Sequence, residues 1–387
     1  MIANIRLQMP ECIDFGAGRR YGIKDYIGPS ERICLVCDPF LRDRVADDIV
    51  PVLADKGAEV VVMSDVIPEL PVDYIAAVAD TASHHKPDTV IGIGGGSTID
   101  CAKLLAVLVR SSQTIYDVIS VGTVGERTVK LITLPTTAGT GSEVTPIAVV
   151  TDDKKKVKKG VVSPHLIPDV AIVDPELTIS MPPHVTAATG VDALTHCIEA
   201  YTNRYAHPVV DGFAREGIRL IMNFLERAFK DGADMEARSS MSLGSLYGGL
   251  CLGPVNTAAV HALAYPVGGE HKVPHGVANS VLLPYVMQFN APACSDKYAS
   301  LARFLGMEHG GEELAQSFIH RVQEMSRRCG IPVTLKDLGI TESDIPEMAK
   351  AAVGVTRLMN NNPRLVTESD AERIYHNAYH GVLGDIP

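Results

Sequence analysis

Thr89-Val-Ile-Gly-Ile-Gly-Gly-Gly-Ser-Thr-Ile-Asp-Cys-Ala-Lys103 runs from an apolar stretch through three consecutive glycines into a helix-spaced segment. Thr89 to Ile93 reads as a strand, and Ile99 to Val109 as the helix that follows it. Glycines at such a junction let the backbone approach an anion, and amides opening a helix at Ser97 point at it with a favourable dipole. The spacing is not G-x-G-x-x-G and lacks Gly-Lys-Ser/Thr, so neither familiar phosphate fingerprint is met. A plain tight turn is the competing reading. Asp100 and Lys103 read as a charge complementing the helix dipole and an exposed lysine.

Outward from this turn, strands and helices alternate. Arg32 to Asp38 and Ala58 to Met63 read as strands, with a helix from Leu41 to Lys56 between them that stops at Gly57. Tyr74 to His84 reads as helix, ended by Lys86-Pro87. Val129 to Leu134, Ile147 to Val150 and Val170 to Asp174 are further apolar runs. A polar turn between Val150 and Val161 holds Lys154-Lys-Lys-Val-Lys-Lys159, read as solvated. Strand, crossover helix and strand at these intervals imply a parallel sheet wrapped by helices. After Pro182-Pro183, strand-like runs nearly vanish. Helical segments follow at Thr186–Asn203, Val209–Lys230, Met235–Leu252, Val277–Asn290, Ser295–Leu305 and Glu312–Cys329. The expected organisation is an α/β domain over 1–181 and an all-α domain over 182–387.

Composition narrows the function. The chain has 387 residues, 46% of them hydrophobic, which is ample for two cores. A net charge of −11 argues against a nucleic-acid surface. No basic region and apolar core open the sequence, and no apolar run approaches a membrane span, so a cytoplasmic location is expected. Cys34 and Cys37 form a C-x-x-C, but on an apolar strand they read as reduced core thiols.

Two constellations carry chemistry. Asp38 ends its strand where a carboxylate can accept hydrogen bonds from an adenosine ribose and repel a 2′-phosphate, favouring NAD over NADP. The same residue would also cap a helix before Pro39. Leu134 to Thr145 contains four Thr, one Ser and two Gly, a composition suited to a polar groove or to a surface loop. In the second half, Asp192-Ala-Leu-Thr-His196 places a carboxylate and an imidazole on one helix face, about 5–6 Å apart. His261, His271 and His275 follow within fifteen residues, in a chain with 13 His. His271 and His275 flank Lys-Val-Pro, in a loop and at a helix start. Spacing leaves open which of the three join Asp192 and His196. A set of one carboxylate and two or three imidazoles suits Fe²⁺ or Zn²⁺. For any one of these histidines, a satisfied core or surface group is the bland alternative.

Together these motifs resemble the iron-containing (group III) alcohol dehydrogenases, related in fold to dehydroquinate synthase. The resemblance extends from Phe15-Gly-Ala-Gly-Arg-Arg to Asn362-Pro-Arg-Leu-Val-Thr-Glu-Ser-Asp370. It rests on Gly94–Lys103, Pro135–Thr145, Asp192-x₃-His196 and His261-x₁₃-His275-Gly276. It implies a dinucleotide-binding domain, an all-helical domain and an active cleft between them. Asp192, His196, His261 and His275 would be the metal ligands, for Fe²⁺ with Zn²⁺ as the alternative. Gly95, Gly96 and Ser97 would hold the NAD diphosphate. Thr136, Thr137, Thr140 and Thr145 would line the cofactor groove, Lys158 would reach it from the Lys-rich turn, and Asp38 matches the NAD-favouring position. Tyr265 stands where many members carry a second His, and His271 precedes the last ligand by one turn. Either is a candidate proton relay or substrate contact. The expected activity is NAD(H)-dependent interconversion of a small primary alcohol or diol and its aldehyde. The alternative substrate on the same scaffold is a small oxo acid or a sulfo- or phospho-aldehyde. A homodimer or larger homo-oligomer is the base-rate expectation.

Overall fold

The computed structural model describes residues 2–153, 157–307 and 313–384. Lys154 to Lys156, within the Lys-rich turn, and Glu312, which opens one expected helix, lie outside the described residues. The chain divides into two compact units, Leu7–Met181 and Pro182–Pro387 joined by Met1–Arg6. The first residues thus side with the helical unit, where the Ala3 carbonyl lies 3.0 Å from His207 Nε2.

The first unit is built on a six-stranded, all-parallel sheet. Its strands are β1 (Cys12–Phe15), β2 (Arg32–Cys37), β3 (Glu59–Met63), β4 (Thr89–Gly94), β5 (Lys130–Pro135) and β8 (Val170–Val173), in the order β1-β8-β5-β4-β2-β3. Pleating sends alternate residues to opposite faces. On β2, Ile33, Leu35 and Cys37 enter one core with Ile91, Ile132 and Ile172, while Cys34 and Val36 enter the other with Leu104, Val90 and Leu131. The two cysteines of C-x-x-C therefore face opposite sides of the sheet. All eight cysteines are free, and burial pushes the Cys34 thiol up to about 12.

Three local expectations change. The Leu41–Lys56 helix is broken into a 3-10 turn at Pro39–Leu41 and helices at Arg42–Asp48 and Val50–Ala54, with Pro51 opening the second. Ile147–Asp152 (β6) does not join the main sheet; it pairs antiparallel with Val157–Val162 (β7), so Lys158 and Lys159 lie on a strand rather than in a turn. In the second unit, Val277–Asn290 and Ser295–Leu305 belong to one helix, His275–Phe304, which continues through Pro284 and Pro292.

Among the described residues, the second unit has helices as its only regular elements. Helices Pro183–Thr202, Pro208–Lys230 and Met235–Leu252 pack on one another, and His275–Phe304 packs on the first of them. Close approach depends on glycine. A Cβ on Gly276 would stand 2.7 Å from the Ala188 carbonyl oxygen, so only glycine lets the start of the His275 helix rest on the Asp192 helix. No helix among the described residues is long and apolar enough to cross a membrane.

Candidate metal and dinucleotide sites

The helix Pro183–Thr202 starts with proline at its first position and is buried over most of its length, Asp192 and His196 included. Polar side chains at 192, 196 and 199 interrupt its apolar face at intervals of four and three, so they share one stripe. A second helix, Ala259–His271, carries His261 in its first turn and ends at Lys272 in the left-handed conformation (φ 58°). His275 then opens its own helix after Pro274. His271 and His275 are thus not successive turns of one helix, because one helix ends at His271 and the next begins at His275.

These helices converge their polar groups. Asp192 Oδ1 lies 3.7 Å from His261 Nε2 and 3.9 Å from His275 Nε2. One donor atom from each of the three falls within 4.8 Å of the others. His196 stacks on His261 with ring centroids 4.8 Å apart and planes inclined by 20°. Asn279, one turn into the His275 helix, donates to Asp192 Oδ1 at 2.7 Å, and its Nδ2 lies 3.1 Å from His275 Nε2. Burial alone would raise the Asp192 pKa, but the charges of His196, His275 and His261 and the Asn279 hydrogen bond hold it below the usual value.

A residue that sequence reasoning missed completes the arrangement. Glu199, buried, accepts from Val260 N–H through Oε1 at 2.7 Å and meets His261 Nδ1 through Oε2 at 2.6 Å. Burial opposes a charged His261, yet the Glu199 charge and hydrogen bond, with Asp192, raise its pKa. With Nδ1 committed to Glu199, the Nε2 lone pair of neutral His261 faces Asp192. That Nε2 is buried without a hydrogen-bond partner among the described residues. A buried acceptor costs free energy unless something satisfies it. A divalent cation fits this donor set, which is oxygen and imidazole nitrogen without thiolate. The i, i+4, i+7 stripe of Asp192, His196 and Glu199 was the available sequence signal.

In the first unit, Gly95 caps the helix Gly96–Leu108 with no side-chain cap hydrogen bond. A Cβ on Gly96 would fall 2.7 Å from Thr140 Cγ2, and one on Gly94 would fall 2.6 Å from Asp38 Oδ2. Thr136 N–H donates to the Gly94 carbonyl at 2.9 Å, so the threonine loop lies along the glycine turn. Thr137 flanks Gly95, and both are half-buried. Asp38 caps no helix of its own with its side chain. It instead accepts from Gly95 N–H at 2.9 Å and from Thr98 Oγ1 at 2.5 Å. Lys158 forms an ion pair with Glu69, whose N–H donates to Ser97 Oγ at 3.3 Å, which places that lysine beside the turn. Thr145 is fully buried and faces away from solvent, against Lys103. Lys103 is not exposed, as its position suggested. Its Nζ donates to Ser142 Oγ (2.7 Å), Thr145 Oγ1 (2.9 Å) and the Ile147 carbonyl (2.9 Å), and Asp100 accepts from Ser142 Oγ at 2.5 Å.

Two family models match this chain: iron-containing alcohol dehydrogenase over residues 10–175 and the Fe-containing alcohol dehydrogenase family C-terminal region over residues 186–379. The chain belongs to the iron-containing alcohol dehydrogenase family. Among similar proteins, the long-chain-alcohol dehydrogenase 1 of Geobacillus thermodenitrificans is 40% identical over 363 residues, covering 92% of this chain and 91% of that one. The NAD-dependent methanol dehydrogenase of Bacillus methanolicus is 32% identical over 97% of this chain and 100% of its own. A solved 1,3-propanediol oxidoreductase superposes with a TM-score of 0.91 at 33% identity, covering 97% of this chain and all of that one. As an iron-containing alcohol dehydrogenase family member, the chain is an oxidoreductase of the alcohol–aldehyde class.

Within this family member, Tyr265 sits one turn beyond His261 on the same helix, half-buried. Burial raises its phenol pKa, opposed by the nearby Arg357 guanidinium, so it stays a neutral donor. His271 is the last residue of that helix. Its Nε2 is buried without a hydrogen-bond partner among the described residues.

Proposed function

We propose that the chain is a metal-dependent NAD(H) alcohol dehydrogenase and aldehyde reductase acting on a small primary alcohol or diol. The reading is carried by the convergence of Asp192, His261 and His275 donor atoms within 4.8 Å, with His196 stacked alongside. Asp192, His196, His261 and His275 would hold the ion, Fe²⁺ by family and Zn²⁺ by donor chemistry. When bound there, a divalent cation supplies Lewis acidity that lowers the pKa of a coordinated hydroxyl, as it lowers that of water from 15.7 to about 7. Hydride chemistry belongs to the dinucleotide.

The protein's own groups do the rest. Gly95, Gly96 and Ser97 cradle the diphosphate at the helix start, where the helix-opening amides donate to it, with Lys158 as the neighbouring cation. Thr136, Thr137 and Thr140 present hydroxyls along the glycine turn. Thr145 supports that loop from beneath through Lys103. Asp38 holds the turn and leaves carboxylate lone pairs for ribose hydroxyls, which favours NAD over NADP. Glu199 keeps His261 in the tautomer whose Nε2 can ligate. Tyr265 and His271 are the candidates for passing the hydroxyl proton onward, Tyr265 as a donor and His271 as a base.

The deciding experiment is an NAD(H)-coupled panel of alcohols, diols, aldehydes and oxo acids on metal-analysed protein. Chelator-treated protein is expected to lose alcohol-dependent NADH formation, and Fe²⁺ or Zn²⁺ to restore it. Full turnover in metal-free protein would remove the ion from the chemistry. Turnover confined to oxo acids or charged aldehydes would overturn the substrate class.

A further inference from the structure

The last helix of the chain carries a second group of converging donors, separate from the Asp192 cluster. His376 and His380 lie one turn apart on helix Glu368–His380, which places both imidazoles on one face. Glu342, from the 3-10 turn Glu342–Asp344, reaches between them: its Oε1 is 3.3 Å from His376 Nδ1 and 3.4 Å from His380 Nε2. The two rings are nearly parallel, inclined by 9° with centroids 6.4 Å apart. The three donor atoms lie within 4.8 Å of one another. The Tyr379 and His380 rings meet in a T-shaped arrangement, with centroids 5.1 Å apart.

We propose that Glu342, His376 and His380 form an exposed site for a borderline divalent transition metal such as Zn²⁺, Ni²⁺ or Cu²⁺. Ligands held about 2.0–2.2 Å from Zn²⁺ stand roughly 3.3–3.5 Å apart around a tetrahedron. Both Glu342–imidazole separations already fall there, and the two imidazole donors lie within 4.8 Å of each other. Two imidazoles and a single carboxylate favour these ions over Mg²⁺ or Ca²⁺, which take mainly oxygen ligands. The side chains are 43–55% exposed, so water can complete the coordination sphere without any buried charge.

The site joins two elements that are distant in sequence. Glu342 precedes the helix Ile345–Val353, which packs on both the Glu368–His380 helix and the Ala259–His271 helix. A bound ion therefore clamps the last turn of the terminal helix to the turn that introduces this supporting helix. In its absence the same three groups make only exposed His–Glu contacts, which contribute little. The site uses none of the residues assigned to the reaction.

The test titrates Ni²⁺ into protein whose interior site is already loaded, following binding by calorimetry and unfolding by thermal melts. Wild type should bind one further equivalent and melt higher with Ni²⁺. In His376→Ala/His380→Ala that equivalent should weaken at least tenfold and the melting shift disappear, with alcohol oxidation unchanged. Glu342→Gln, which leaves the Glu368–His380 helix and both imidazoles unaltered, should weaken binding in the same direction. Copper-loaded wild type should show two coupled nitrogens by electron paramagnetic resonance, and the double variant none. Equal Ni²⁺ binding by wild type and both variants, or no equivalent beyond the interior one, would overturn the proposal.

Discussion

Glu199 binds through both oxygens, and both bonds serve the neighbouring helix: one takes the Val260 amide, the other the His261 ring. A carboxylate behind a ligating imidazole fixes its orientation and raises its basicity, and losing such a partner typically weakens metal binding ~10–100-fold. Glu199→Gln is therefore expected to bind Zn²⁺ ~10–100-fold more weakly in a chelator competition, while circular dichroism stays unchanged. Unaltered affinity would reduce Glu199 to a packing role. Asp38 supports a second expectation at this scale. Its carboxylate holds Gly95 and Thr98 and would confront a 2′-phosphate, so the KM for NADPH should exceed that for NADH by tenfold or more. Asp38→Asn, whose amide oxygen still accepts from Gly95, should narrow the ratio. Equal wild-type constants would refute this use of Asp38. Asp192-x₃-His196 was legible because both residues share one helix and the spacing alone sets their face. Glu199 was not read, since its partner lies 62 residues onward, although its place on the Asp192 stripe marked it.

The packing of helix Gly96–Leu108 against the threonine loop depends on a buried charged network. Lys103 is pulled down to about 8, by burial first and against the opposing charges of Asp100 and Glu143. Glu143 is pushed up to about 7 by burial, with Lys103 and its own backbone opposing. Protonation then couples to stability. Because the folded Glu143 pKa lies above its ordinary value of 4.5, its contribution is fully present below that value and is lost as pH rises through about 7. The depressed Lys103 contributes above 10.5 and loses that contribution as pH falls through about 8. The pair is therefore least favourable between about 7 and 8. Glu143→Gln removes the acidic limb, so its stability relative to wild type should grow from pH 5 to pH 7.5, read from urea midpoints. A constant difference across that window would show that Glu143 titrates normally. Lys103 read as exposed because its hydrogen-bond partners come from residues 142–147, which no local pattern joins to it. The strand bearing Lys158 escaped for a related reason: its pairing partner, and not its own polar composition, makes it a strand. By contrast, β2, β3, β4 and β5 were legible as short β-branched runs bounded by turn residues.

At the scale of the whole molecule, each of the two units carries one of the candidate sites: a glycine turn on a parallel sheet in one, an acid–imidazole cluster among helices in the other. The boundary between the two units falls at Pro182, where the sequence pattern changes. The substrate was not legible in the sequence, since the similar proteins named above act on long-chain alcohols, methanol and propanediol with the same scaffold. The division predicts two separable protection footprints. A ligand stabilises the state that binds it by RT ln(1 + [L]/Kd), about 2.7 kcal/mol at a hundredfold excess over Kd. For amides that exchange only when their site opens, this corresponds to ~100-fold slower hydrogen exchange. NADH alone should slow exchange at residues 94–98 and 136–142, while Zn²⁺ alone should slow it at 192–199, 259–263 and 275–279. Such footprints, read by mass spectrometry at peptide resolution, need no turnover and no knowledge of the substrate. If NADH protected only the helical segments, or Zn²⁺ only the glycine turn, the assignment of one ligand to each unit would be reversed. If Zn²⁺ protected neither 192–199 nor 275–279, the convergence of Asp192, His261 and His275 would be a hydrogen-bonded core cluster and not a metal site.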